Sequence, residues 1–371
     1  MRRVVIAPDS FKGTATAAEA AAAIARGWRA VRAADELVLR PMADGGEGTL
    51  DAFAAAVPGA TRMPVTVTGP LDAPVAAHWL LLPGEPATGV VELAATSGIT
   101  LLDPLAPLDA HTRGFGEAIA AALDHGARRL LLALGGSAST DGGAGALTAL
   151  GAELLDGAGR PVLSGGRALA RLAEVRLDGL RRPPVAGARL LVDVTNPLLG
   201  PTGAAEVFGP QKGATAADVA LLDAGLARFA ELLPGADPTT PGAGAAGGTG
   251  FGLLAWGADI APGARTVAET IGLPDALRGA SLVITGEGRY DGQSAAGKAP
   301  SAVVRLAAAA GVPSALVAGL IAAEPEGAGF AASVSLTTLA GTGAAAVAEP
   351  LRWLERAGAE LAAGWTDPAR S

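Results

Sequence analysis

The sequence predicts an α/β protein of two α/β domains. One is a mostly parallel-sheet domain built from both chain ends. The other is an inserted domain with a mixed sheet, and the active site is expected in the cleft between them. Three observations lead there. Continuous apolar runs such as VVIAP (4–8), RRLLLALGG (128–136) and SLVITGEG (281–288) have the texture of strands covered on both faces, and helical patterns follow them. From residue 61 the pattern instead alternates and carries a Gly-Pro turn signal, which is antiparallel texture. The length of 371 residues, half of them hydrophobic, suits about two cores. The expected division is 1–62 with 275–371 for the first domain and 63–274 for the inserted one.

Each element follows from local chemistry. After the first strand, Thr16 and Glu19 form a capping box. Ile24, Trp28 and Val31 then recur on one helical face, with Arg26, Arg29 and Arg32 opposite. ELVLRPMAD (36–44) reads as a second strand and GEGTLDAFAAAV (46–57) as a second helix. TRMPVTVTGPLDAPVAAHWLLL (61–82) is the antiparallel excursion, and GVVELAAT (89–96) follows it. Thr112 opens a helix to about residue 126, and RLLVDVTNPLLG (189–200) is a strand ending in a polar loop. A helix is expected over 216–233 and another from near 248, after the Gly-dense PGAGAAGGTGFG (241–252). The C-terminal part reads as a helix over about 296–310, strands near 314–321 and 332–337, and a last helix over 342–363.

Composition removes several function classes. The net charge is −8 and no basic run occurs, so nucleic acid is not an expected partner. Cysteine is absent, which excludes disulfides and thiolate metal sites. The apolar stretch 306–323 is interrupted by Gly311 and Pro313 and reads as helix, turn and buried strand, not as a membrane span. The N-terminus has too few apolar residues before Pro8 for a secretory signal, so a cytoplasmic location is expected.

Only three of the 28 basic side chains are lysines: Lys12, Lys212 and Lys298. Each adjoins a glycine. In an arginine-rich chain a retained lysine marks a place for a compact point charge, and glycine lets backbone approach a phosphate closely. In open α/β sheets ligands bind beyond the carboxyl ends of strands. Here those ends are dense in Asp, Glu, Ser, Lys and Gly: APDSFKG (7–13), PMADGGEG (41–48), LGGSASTDGGAG (134–145), DVTNPLLG (193–200), FGPQKGA (208–214) and TGEGRYDGQSAAGK (285–298).

Several residues stand out as candidates. Asp9 and Ser10 adjoin Lys12. Asp44 and Glu47 flank two glycines and suit Mg²⁺, although acidic residues also favour the first turn of a helix. Gly135, Gly136, Ser137, Ser139, Thr140 and Asp141 form a donor-rich turn that could cradle an anion or be an ordinary strand–helix loop. Asp193 is a candidate general base, and Asp193 and Asn196 equally suit Asx-turn chemistry before Pro197. Gly292 to Lys298 has P-loop spacing, but Ala299 replaces the metal-binding Ser or Thr and RYD before it is polar, so a Walker A loop is rejected. Glu287 and Asp291 beside it could serve a metal. His78, His111 and His125 have no metal spacing and read as structural. The glycine spacing in GAGAAGGTG lacks a preceding strand and carries little weight for a dinucleotide.

Taken together, APDSFKG, PMADGGEGT, LGGSASTDGGAG, DVTNPLLGPTGAA, FGPQKGA, PGAGAAGGTG and TGEGRYDGQSAAGKAP resemble the bacterial glycerate kinase family. The match runs from residue 4 to about 300, and the final 70 residues match less distinctly. The resemblance implies a flavodoxin-like domain and one likened to restriction enzymes. It implies ATP- and Mg²⁺-dependent phosphorylation of D-glycerate, with 2-phosphoglycerate the product associated with this branch. On that expectation Asp193 is the base; Lys12 and Lys298 clamp phosphate; Lys212 clamps phosphate or pairs with the substrate carboxylate. Asp9, Ser10, Gly135, Gly136, Ser137 and Asn196 bind phosphate or substrate, and Asp44, Glu47 and Asp291 face the metal. The alternatives are a nucleotide- or metabolite-binding regulator without turnover, and an ATP-independent sugar-phosphate isomerase.

Overall fold

A computed structural model describes residues 2–291 and 299–365. Among these residues the strands are, in chain order, β1 (Arg3–Ile6), β2 (Glu36–Leu39), β3 (Thr61–Thr68), β4 (Pro74–Leu82), β5 (Thr88–Glu92), β6 (Arg129–Ala133), β7 (Glu153–Asp156), β8 (Leu172–Arg176), β9 (Ala188–Leu191), β10 (Asp259–Ala261), β11 (Leu282–Tyr290), β12 (Ser314–Ile321) and β13 (Phe330–Ser335). The chain divides into two compact units. One comprises Met1–Asp44, Asp51–Pro58 and Ala264–Ser371; the other comprises Gly45–Leu50 and Gly59–Gly263. The residues after Gly263 therefore cluster with the first unit, where the sequence reading had extended the insertion to 274.

The first unit holds a five-stranded, wholly parallel sheet in the order β13-β12-β11-β1-β2. Val4 lies opposite Leu282 and Leu37, and Ile6 opposite Ile284 and Leu39. These residues are apolar because both faces of a parallel sheet are covered. The helix Ala17–Val31 packs on the helix Pro350–Gly364, with Ile24, Trp28, Leu354 and Leu361 in their shared core. Two glycines permit this approach. A Cβ on Gly27 would fall 1.7 Å from Glu355 O, and one on Gly358 would fall 2.2 Å from Ile24 O.

The Thr16–Glu19 capping box forms as the spacing predicts. Val31, placed by periodicity on the buried face, is instead exposed at the helix end. The expected single helix over 342–363 is two, Gly343–Ala348 and Pro350–Gly364. Pro350 has no N–H to offer and its ring clashes with the preceding turn, so it starts a helix instead of continuing one. β11 also runs farther than the sequence suggested, through Arg289 and Tyr290. Tyr290 is held there by an edge-to-face contact with Phe330, ring centres 5.6 Å apart. The polar RY pair is strand, so that part of the argument against a P-loop fails, while Ala299 still argues against one.

The second unit carries the mixed sheet β10-β9-β6-β5-β4-β3. β5, β6, β9 and β10 are parallel neighbours, and β3, β4 and β5 pair antiparallel. A short antiparallel pair, β7 and β8, lies apart from it. Its core gathers Leu132, Leu190, Phe115, Phe229 and Phe251 with many alanines and leucines. Among the described residues no helix is long and apolar enough to cross a membrane.

Candidate active site

In the first unit the chain leaves β1 through Pro8 and continues the ladder one step, Asp9 N donating to Gly286 O at 2.8 Å. It then doubles back in a tight turn. Phe11 N donates to Ala15 O (2.9 Å), Thr14 N to Phe11 O (2.8 Å) and the Thr14 hydroxyl to the same carbonyl (2.7 Å). Gly13, at φ +76°, closes the turn in a conformation that suits glycine. The turn buries Phe11 and leaves Lys12 exposed at its tip. Parallel strand and glycine turn together thus present one ammonium on a rigid mount.

This turn lines a cavity of about 520 Å³. Its polar side is Asp9, Ser10, Lys12, Thr14 and Asp44, with Glu287 and Arg289 from the end of β11. Glu287 and Arg289 are two residues apart on a strand and so share a face. Asp9 is buried, and its Oδ1 accepts from Ser10 N at 2.6 Å. Burial, then the charge of Asp44, pushes the Asp9 carboxyl up to about 8; the Ser10 amide and Lys12 oppose this, and Glu287 adds to it. Three carboxylates around one cavity, one of them reluctant to ionise, form an environment that favours a cation. Among the described residues no three His, Asp or Glu side chains are close enough to hold a metal unaided. Mg²⁺ does not require that, since it takes one or two carboxylates and fills its octahedron with phosphate and water oxygens.

The second unit treats its polar loop differently. Asp141 is fully buried and accepts from Thr112 N (2.9 Å), the Thr112 hydroxyl (2.9 Å), Gly143 N (3.1 Å) and Gly145 N (3.1 Å). Lys212 is 3% exposed, and it donates to Ser139 O and, at 3.4 Å, to Ser137 Oγ. Burial lowers the Lys212 ammonium to about 7, against the opposing pull of Asp141. The Ser137 hydroxyl in turn faces Ser139 O (3.2 Å) and Ala246 O (3.4 Å). Lys212 therefore ties the turn at 210–213 to the loops at 137–139 and 246–248.

Other candidates fall as follows. Gly135 donates to Gly45 O at 3.0 Å, and a Cβ on Gly135 would meet Gly46 Cα at 2.4 Å, so the loops after β2 and β6 press backbone to backbone. Gly136 accepts from Ile99 N at 2.8 Å. Asp193 follows β9, half-buried, with Oδ1 accepting from Gly263 N at 2.8 Å at the start of the helix Gly263–Thr270. Asn196 donates from its side chain to Thr202 O (2.9 Å), and its carbonyl accepts from Gly242 and Gly244. Glu47 is exposed and is not part of the cavity lining, although Asp44 three residues earlier is. Asp291 pairs with Arg289 at 3.4 Å and also lies outside that lining. Lys298 lies outside the described residues.

Two residues escaped the sequence reading. Arg289 lines the cavity beside Glu287, and the period-2 pattern of β11 would have revealed it had the strand been traced to Tyr290. Glu92 is a buried carboxylate at the end of β5 that accepts from Gly48 N (3.3 Å) and Leu50 N (3.0 Å), fixing the 45–50 loop. Nothing in VVELAAT signals that partner. The histidines are structural: buried His111 contacts Asp72 (3.2 Å) and accepts from Arg113 N (3.3 Å), and His125 packs edge-on against Trp79.

The chain is similar to known proteins over nearly its whole length. The model of the glycerate kinase family matches residues 4–366. A glycerate kinase of Bacillus subtilis (strain 168) is 42% identical over 330 residues, covering 87% of this chain and 86% of the relative. A glycerate 2-kinase of Escherichia coli (strain K12) is 41% identical over 313 residues, covering 82% of each. A crystal structure described as "putative glycerate kinase 2" of Salmonella typhimurium LT2 superposes with a TM-score of 0.84 at 38% identity, covering 98% of this chain and 97% of that one.

Proposed function

The chain belongs to the glycerate kinase family, and from that premise we propose that it transfers the γ-phosphoryl group of ATP, with Mg²⁺, to the 2-hydroxyl of D-glycerate. The observation that carries this reading is the cavity at the tip of β1, where Lys12 and three carboxylates meet. Phosphoryl transfer asks little covalent chemistry of a protein; it asks for position and for charge complementary to the moving phosphoryl.

The residues divide the work. Lys12 sets a point charge against the terminal phosphates, and Ser10 adds a hydroxyl on the same turn. One or two of the carboxylates of Asp9, Asp44 and Glu287 would hold Mg²⁺, which when bound neutralises phosphate charge in the transition state. Their fit to a cation rests on the raised Asp9 carboxyl, whose cause is burial and neighbouring negative charge. Asp193 keeps its role as base on sequence grounds; within the second unit its Oδ1 accepts from Gly263 N. Lys212 and the Ser137 loop are assigned to bracing, because their polar atoms bond one another. Lys298 keeps its role as a second phosphate clamp on sequence grounds. The 2-hydroxyl as acceptor is supported by the name of the E. coli relative.

A coupled assay of ADP release tests the reading. We expect turnover only with D-glycerate, ATP and Mg²⁺ together, and a ³¹P spectrum of the product with phosphorus coupled to the single C2 proton. A product coupled to two C3 protons would move the acceptor to the 3-hydroxyl, and no ADP release would refute the kinase reading.

A further inference from the structure

The cavity beside β1 has a second side that phosphate chemistry does not use. Besides Asp9, Lys12 and Asp44 its lining includes Leu320, which pairs with Arg289 at the end of β12, Leu336, and Ala346, Val347 and Pro350 around the break between the last two helices. Leu336 and Ala346 are buried, whereas Leu320 is 37% and Val347 61% exposed. Aliphatic side chains left exposed around a concavity, next to a charged rim, are the composition of a small-molecule pocket, with an apolar bed and few orienting polar groups. The Thr337 hydroxyl is already committed to Gly319 O at 2.8 Å, so it holds the wall in shape.

The volume decides the occupant. At about 520 Å³ the cavity far exceeds a three-carbon acid, and it lies within the roughly 300–1,000 Å³ range of sites for drug-sized ligands. D-glycerate has almost no apolar surface to lay on Leu320 and Val347. A nucleoside has a planar base with two apolar faces, joined to phosphates that would reach the charged rim. Gly343 leaves additional room, since a Cβ there would have only Thr337 Oγ1 within 4 Å, at 3.9 Å.

We infer that the apolar wall formed by Leu320, Leu336, Ala346 and Val347 seats the nucleoside of the phosphoryl donor, with its base against aliphatic side chains instead of an aromatic clamp. The inference deepens the kinase reading and rests on it for the identity of the donor. It assigns base recognition to the C-terminal third of the chain, where the sequence shows no nucleotide motif.

The test uses two substitutions at exposed positions on different elements, Val347→Arg and Leu320→Glu, with thermal melts to confirm folding. The probes are ATP, D-glycerate and adenosine. We expect each variant to raise the KM for ATP about tenfold or more while the KM for D-glycerate stays within about twofold. Adenosine, which lacks phosphates, should bind the wild type and lose about tenfold in affinity in both variants by equilibrium dialysis. An unchanged KM for ATP, or a rise confined to D-glycerate, would overturn the assignment. If the wild type releases no ADP, the kinase reading fails on its own, and adenosine dialysis still decides the seat: equal binding by wild type and variants, or no binding by the wild type, overturns it.

Discussion

Lys12 and Lys212 occupy nearly identical sequence contexts, FKG and QKG, and meet opposite fates. Lys12 is exposed on a glycine turn at the mouth of a cavity it shares with Asp9, Asp44 and Glu287. Lys212 is sealed in the second unit, bonded to the Ser139 carbonyl and the Ser137 hydroxyl. Their acidic neighbours differ in the same way. Asp9 accepts one backbone N–H and is pushed toward its neutral form, while Asp141 accepts four hydrogen bonds and is fully enclosed. One set of polar side chains lines a cavity, and the other bonds within the fold. Gly-flanked lysine beside aspartate does not distinguish them; the partners supplied by distant segments do.

Substitutions at the two aspartates should separate these regions most strongly. Asp9→Asn is expected to lower kcat about 10²–10³-fold, the scale of removing one preorganised electrostatic group, without loss of folding. Asp141→Ala should act on the melt instead. It orphans buried donors that now share one carboxylate, at a cost of about 3 kcal/mol or more in urea unfolding. Asp9→Asn with full activity, or Asp141→Ala with an unchanged melt, would break the distinction.

Lysine-to-arginine exchange sharpens it. At Lys12 the charge survives but the compact ammonium does not, and kcat/KM should fall about tenfold with the melt unchanged. At Lys212 the larger guanidinium enters a packed site where a Cβ on Gly247 would already stand 2.9 Å from Nζ. Overpacking there should cost about 1–3 kcal/mol of stability. Unchanged kinetics in Lys12→Arg would mean that charge alone suffices at the cavity.

The pH dependence of stability gives a third contrast, because there the two regions slope oppositely. Asp9 is raised in the fold from 3.8 to about 8, so the native state binds the extra proton and Asp9's contribution declines as pH rises from about 4 to 8. Lys212 is lowered from 10.5 to about 7, so the unfolded state binds the extra proton and its contribution grows from about pH 7 to 10.5. Melts of Asp9→Asn across the lower window and Lys212→Met across the upper one should each flatten the corresponding slope. Slopes identical to wild type would contradict the burial of these charges.

Much of the fold was readable because it rests on local signals. The apolar runs of β1, β6 and β11, the Thr16–Glu19 cap and the alternation of β3 and β4 each need only near neighbours. The grouping of Asp9, Ser10 and Lys12 at one cavity was readable for the same reason, since they lie on one turn directly after one strand. What escaped depends on contacts between distant segments. Asp44 and Glu47 look equivalent in DGGE, yet Gly45 and Gly48 turn the backbone through positive φ, and only Asp44 reaches the cavity lining. Glu92 caps a loop more than forty residues away in the chain. The burial of Lys212 beside the 246–248 loop likewise leaves no trace in QKG.

The central claim is that the phosphates and metal of the donor lie at the β1 turn. The most direct test is anomalous diffraction from crystals grown with Mn²⁺ and a non-hydrolysable ATP analogue. The account predicts one anomalous peak among Asp9, Asp44 and Glu287, with the analogue's terminal phosphate beside Lys12. A peak at Glu47 or Asp291, with the analogue's phosphates away from Lys12, would contradict it.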